Sequence, residues 1–226
     1  MAISSPLGVR PTVAAMLTLT AVTGLVDAVS YLTLGRVFVA NMTGNVVFLG
    51  LATYPNAGLS IVAALVAIGG FLAGALAGGR AANVLAARPG RWLTIAFGAE
   101  AVLLGLAAVL VALGALPTTG DGRYATIALL AVPLGVQNST VRHLGVADLT
   151  TTVLTLTLTG IAADSRVAGG PGAKPHRRVG SVAAMLAGAA AGAGILRWSP
   201  AAVIALAALL VAAVTVAFAG RAVRAA

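Results

Sequence analysis

Ala40-Asn41-Met42-Thr43-Gly44-Asn45-Val46-Val47 and Ala147-Asp148-Leu149-Thr150-Thr151-Thr152-Val153-Leu154 share the pattern A-[ND]-[ML]-T-x-x-V-[VL]. Three further matches fall around them in the same order. Gly24-Leu25-Val26-Asp27 aligns with Gly135-Val136-Gln137-Asn138, Leu72-Ala73-Gly74-Ala75-Leu76-Ala77-Gly78 with Leu186-Ala187-Gly188-Ala189-Ala190-Ala191-Gly192, and Arg91-Trp92 with Arg197-Trp198. In chain order the offsets are 111, 107, 114 and 106 residues. Single matches between Ala- and Gly-rich stretches arise readily by chance, but an ordered set at nearly constant spacing predicts a duplicated chain. Repeat one is expected over 1–119 and repeat two over 120–226, within a single membrane domain, 1–226.

The solvent of that domain follows from composition. The chain has 226 residues, 60% of them hydrophobic and 8% charged, with a mean hydropathy of +1.04. Soluble domains carry about a quarter charged residues, and this chain has too few polar side chains to cover a water-facing surface. Splitting at Arg, Pro and Gly clusters gives eight apolar elements, at 12–34, 37–54, 59–79, 92–116, 124–141, 146–163, 179–196 and 199–219. The first, about 34 Å long as a helix, is too long for a signal peptide and long enough to span a bilayer core of about 30 Å. The second and sixth have only 18 residues each and carry polar residues through their length: Asn41, Thr43 and Asn45 in one, Thr150 to Thr152, Thr155, Thr157 and Thr159 in the other.

Charge placement bears on whether these two short elements cross. The net charge of +9 comes from 14 Lys and Arg against 5 Asp and Glu. If all eight elements cross, the basic residues divide almost evenly between the two faces. If the second and sixth enter and leave on the same face, eleven of the fourteen lie on one side and only Arg36, Arg123 and Arg197 on the other. The second layout obeys the positive-inside rule and puts both termini in the cytoplasm. It also gives three spans per repeat, an odd number, so the repeats are inverted with respect to each other. The expected fold is therefore all-α and polytopic: two inverted repeats of three transmembrane helices, each with one short re-entrant or broken polar helix. Eight spans in two parallel repeats is the alternative, since 18 residues just suffice to cross.

Polar residues at membrane depth are the candidate site. Asp27 lies about 23 Å along the first helix from Thr12, where a carboxylate costs at least about 2.5 kcal/mol and is paired, protonated or beside a wet cavity. It reads as a proton or cation relay or a substrate contact, or else as a tie from the first helix to the fifth through Asn138 or Arg142. Asn41, Thr43 and Asn45, with Asp148, Thr150 and Thr152 as their counterparts, suit a broken helix whose free backbone groups face protein or water; capping and interhelical hydrogen bonds are the competing explanation. Gln137 and Asn138 complete the proposed substrate-binding set. Glu100 is a second proton-site candidate, with pairing to Arg91 or Arg142 as the other reading; Leu206 holds the aligned place. Gly70, Gly74, Gly78, Gly188 and Gly192 form small-xxx-small ridges that read as close helix packing at the seam between the repeats.

Other classes are poorly served. No basic stripe carries interleaved aromatics, so no nucleic acid is expected. The chain has no Cys, which removes disulfides, iron-sulfur clusters and thiol catalysis. No His, Asp or Glu pair has metal-ligand spacing, and no Walker loop, H-E-x-x-H or G-x-S-x-G motif is present, so no metal, cofactor or catalytic residue is assigned. Asn41-Met42-Thr43 and Asn138-Ser139-Thr140 fit the glycosylation pattern only by coincidence, in apolar surroundings.

Thr23-Gly24-Leu25-Val26-Asp27-Ala28-Val29-Ser30-Tyr31, followed by Ala40-Asn41-Met42-Thr43-Gly44-Asn45, resembles the YoaK family of bacterial integral membrane proteins. Gly135-Val136-Gln137-Asn138, with Thr151-Thr152-Val153-Leu154-Thr155 and Leu158-Thr159, is similar to that family's second conserved region. The resemblance covers nearly the whole chain and implies a polytopic inner-membrane protein of about six helices; it implies no substrate. Combined with the polar midplane residues, the expected function is transport or channelling of a small solute or ion in the lipid bilayer, with homo-oligomerisation open. A membrane enzyme acting on a lipid or quinone-like substrate, and a non-transporting assembly partner, are the competing classes.

Overall fold

The computed structural model describes residues 5–145, 154–170 and 175–222. Eight α-helices account for most of them: α1 (Val9–Thr33), α2 (Met42–Leu51), α3 (Ile61–Val84), α4 (Pro89–Ala112), α5 (Arg123–Leu144), α6 (Leu154–Ala163), α7 (Pro175–Ile195) and α8 (Pro200–Ala222). Each apolar element of the sequence carries one of them. Their ends follow from local chemistry. Ser60 caps α3 by accepting the Ala63 N–H at 3.2 Å, Pro89 and Pro200 open α4 and α8 where a missing N–H costs nothing, and Gly145 closes α5 in the left-handed conformation. At the end of α1, Gly35 and Arg36 both take positive φ, turning the chain sharply toward α2.

Five helices, α1, α3, α4, α7 and α8, are long and apolar enough to cross a membrane. α5 has the length, 22 residues, but carries Gln137, Ser139 and Thr140, which are buried against other helices. By contrast α2 has 10 residues, about 15 Å of helix, half a bilayer core; α6 has 10 among the described residues. The outer surface is apolar. Leu72, Leu76, Val102, Leu186, Leu209 and Val216 are all exposed, as expected where lipid replaces water. The chain is an all-helical, multi-pass membrane protein.

α1 is the central helix. Nine consecutive residues, Val22 to Ser30, are buried, because α7, α8, α5 and the 34–41 segment surround that stretch. The closest packing runs through glycines. A Cβ on Gly24 would collide with the Met185 carbonyl and sit 2.8 Å from the Ala189 nitrogen, and one on Gly188 would collide with the Ala21 carbonyl. On the other side of the bundle, a Cβ on Gly135 would collide with the Phe71 carbonyl and sit 2.8 Å from the Ala75 nitrogen, and one on Gly74 would collide with the Val132 carbonyl. Every member of the first set has its counterpart in the second, 111 or 114 residues away. α7 thus packs on α1, and α3 on α5, through the ridges the sequence pattern marked.

Contact order along these helices gives their directions. Gly70 meets Ala131 and Gly78 meets Val136, so α3 and α5 run in the same sense; Gly180 meets Leu17 and Gly192 meets Leu25, so α1 and α7 do too. α4 and α8 run oppositely, since Phe97, early in α4, packs on Phe218 near the end of α8 with ring centroids 5.6 Å apart. Two arginines tie one end of the bundle together. The Arg123 guanidinium, at the start of α5, lies against Gly35 at the end of α1, and that of Arg36, before α2, reaches Gly58, after it.

One sequence match is not a structural one. Trp92 is fully buried inside α4, whereas Trp198 is 81% exposed in the turn ahead of α8.

Candidate functional site

Between α1 and α2 the chain makes an irregular passage, residues 34–41, and Asp27 holds it. One Asp27 carboxylate oxygen accepts the N–H groups of Val39 and Ala40, each at 3.0 Å. These donors immediately precede α2, so the carboxylate also lies at the positive end of that helix's dipole. Asn45 holds the same passage from the other side. Its amide oxygen accepts the Phe38 N–H at 2.9 Å and its amide nitrogen donates to the Phe38 carbonyl at 2.6 Å. The Phe38 ring lies directly over Gly44, where a Cβ would come within 2.7 Å of it. Thus Asp27 and Asn45 supply side-chain partners for the backbone of this non-helical segment, and Gly44 leaves room for the Phe38 ring.

Beside this passage is a cavity of about 670 Å³, lined from both halves of the chain. α1 contributes Gly24, Asp27, Ala28, Tyr31 and Leu32; the passage and α2 add Phe38, Asn41, Thr43, Gly44, Val47 and Phe48. α6 supplies Leu154 and Thr155, and α7 supplies Met185, Ala189 and Ala193. Tyr31, Phe38 and Phe48 form one aromatic cluster, with centroids 5.1 to 6.2 Å apart. Asp27 is the one charged residue among these lining residues.

The expected site residues separate into three groups. Asp27, Asn41 and Thr43 line the cavity. Asn45, Gln137, Asn138 and Glu100 are not on its wall. Asn45 is fully buried with its amide turned to Phe38, and Gln137 donates to the Thr23 hydroxyl at 3.0 Å, so the tie between α1 and α5 runs through this pair and not through Asp27 with Asn138 or Arg142. Asn138 donates to the Leu134 carbonyl one turn back. Glu100 is completely buried midway along α4, and neither carboxyl oxygen has a partner among the described residues, so the expected pairing with Arg91 or Arg142 is not made. Asp148, Thr150 and Thr152 lie outside the described residues. The aromatic residues, with Thr155 and Met185, are the part of the wall that sequence reasoning did not assign. Met185 had a signal, since it lies on the Gly188 ridge that packs on α1.

Comparison with known proteins places the chain. The model of a family described as a protein of unknown function (DUF1275) matches residues 15–217. The chain belongs to that family. It is 36% identical over 162 residues to the UPF0700 transmembrane protein YoaK of Bacillus subtilis (strain 168), a match that covers 69% of this chain and 67% of the relative. No solved structure matches. The resemblance read from the 23–31 and 40–45 stretches is therefore correct, and both residues that hold the passage, Asp27 and Asn45, fall within those stretches.

Proposed function

We propose that this protein is a carrier or channel for a small solute, with the cavity beside Asp27 as its binding site near the middle of the membrane. The observation that carries this reading is the cavity's composition from both halves of the chain: α1 and α2 form one side, α6 and α7 the other. A site at a seam between halves is where relative movement of those halves changes access. Asn41, Thr43 and Thr155 offer hydrogen-bonding groups, and Asp27 a carboxylate, within an otherwise apolar wall, the usual chemistry of a small-molecule site.

The layout that puts the cavity at mid-depth is six spans in two inverted repeats, with α2 and α6 re-entrant. Four features support it: the 10-residue length of α2, the approach of Arg36 to Gly58 across α2, the position of Arg123 against Gly35, and the opposite directions of α4 and α8. Eight crossing elements would run α4 and α8 in the same sense and start α5 on the far side from Gly35. With Arg36, Arg123 and Arg197 outside, both termini are cytoplasmic, in the inner membrane of a bacterium.

The test fills the cavity without disturbing its frame. Ala193→Phe and Val47→Trp add bulk from α7 and α2, at residues that bear on the cavity and are exposed. Solutes that raise the melting temperature of the purified protein bind its native state. For those solutes, both substitutions abolish stabilisation and liposome flux while the unliganded protein melts as before. Undiminished flux in the filled variants contradicts the assignment.

A further inference from the structure

We infer that the ligand is an organic cation: a quaternary or protonated amine carried on an apolar or aromatic body. This rests on the binding-site reading above and adds the charge and shape of what binds. Tyr31, Phe38 and Phe48 are three of only ten aromatic side chains in the whole chain, and all three line this one cavity in mutual contact. Aromatic rings attract cations through their quadrupole, most strongly where water is excluded, and quaternary ammonium groups are the usual beneficiaries.

Charge points the same way. Asp27 lines the cavity, and no Arg, Lys or His is among the described lining residues. The positive end of α2 lies close by, at about half a unit charge, but the Asp27 carboxylate already accepts the N–H groups leading into that helix. An incoming anion would meet this carboxylate, whereas a cation is drawn to it. The volume of about 670 Å³ gives room for an organic ligand, within the range of about 300–1,000 Å³ typical of such sites. Gly24, Ala28, Ala189 and Ala193 add small apolar surface to the wall, while Asn41, Thr43 and Thr155 can hydrogen-bond a polar substituent. The same chemistry is shared by a free amine and by the choline headgroup of a lipid.

Benzyltrimethylammonium is the probe, with benzyl alcohol and benzenesulfonate as neutral and anionic probes, each titrated into the intact detergent-purified protein. The cation should bind at least about tenfold more tightly than either. Phe48→Leu should weaken it about fivefold, the scale of one ring's contribution, and Asp27→Asn should weaken it further. Phe48→Leu leaves the Asp27 and Asn45 hydrogen bonds in place, so its effect is read on a folded protein. Competition by choline assigns the cation to a free solute, and competition by dihexanoylphosphatidylcholine alone assigns it to a lipid headgroup. Absent cation binding, or equal binding of a neutral or anionic probe, overturns the inference. If such a probe binds and Ala193→Phe abolishes it, the ligand class fails while the site stands. If Ala193→Phe leaves all binding unchanged, the site itself fails.

Discussion

Replacing Asp27 by alanine removes the acceptor shared by the Val39 and Ala40 N–H groups. Each is a charge-assisted hydrogen bond worth about 1.5–3 kcal/mol net, so the pair contributes about 3–6 kcal/mol. Against that gain, the native protein bears the cost of placing a carboxylate at membrane depth, at least about 2.5 kcal/mol. The balance for Asp27→Ala is a loss of about 0.5–3.5 kcal/mol. Asp27→Asn keeps an amide oxygen in the accepting position; it loses the charge assistance but also sheds the cost of burying the charge, so its stability should lie within about 1 kcal/mol of the parent. Unfolding in mixed micelles measures both. A local probe separates opening of the passage from global loss: a cysteine at Ala40, which is buried, should resist alkylation in the parent and in Asp27→Asn but react in Asp27→Ala. Equal stability of the two variants, with Ala40→Cys protected in both, would refute the role assigned to this carboxylate.

The helix seams predict a steric contrast: Gly74→Leu and Gly188→Leu force a side chain into a facing carbonyl and should prevent stable folding, whereas Gly105→Ala and Gly194→Ala, with nothing within 4 Å, should melt within about 1 kcal/mol of the parent. Glu100 is buried without a partner among the described residues, so Glu100→Met should leave stability unchanged or raise it by about 1–2 kcal/mol in the same unfolding assay; a large destabilisation would reveal a partner for this carboxyl. Arg178 donates to Asp164 at 2.6 Å, tying the start of α7 to the residue after α6. Because Asp164 is 43% exposed, a double-mutant cycle with Arg178→Ala and Asp164→Ala should give a coupling of only about 0.5–1 kcal/mol.

Much of this architecture was legible in the residues. Eight apolar runs carry eight helices among the described residues, the polar second run became the 10-residue α2, and the Gly ridges became the α1–α7 and α3–α5 contacts. These features survive because they depend on local composition and on spacing along one helix. What was not legible depends on partners that exist only after folding. Asn45 and Asp27 look alike as polar residues at depth, yet Asn45 spends both ends of its amide on Phe38, while Asp27 holds the passage and still borders the cavity. Three aromatics at 31, 38 and 48 have no common helical period, because an irregular segment with two left-handed residues, Gly35 and Arg36, separates the first from the other two. Only the turn it makes brings the rings together. The Arg-Trp match failed for a related reason: two identical dipeptides fell one inside a helix and the other in a turn.

The claim on which the functional account depends is that α2 enters and leaves on one face, so that Asp27 and its cavity lie within the membrane and not at its edge. The chain has no Cys, so single cysteines at Arg36 and Ala57 can be labelled in intact cells with a reagent that does not cross the membrane. The account predicts that both react from outside. Labelling of one from outside and the other only after permeabilisation would contradict it.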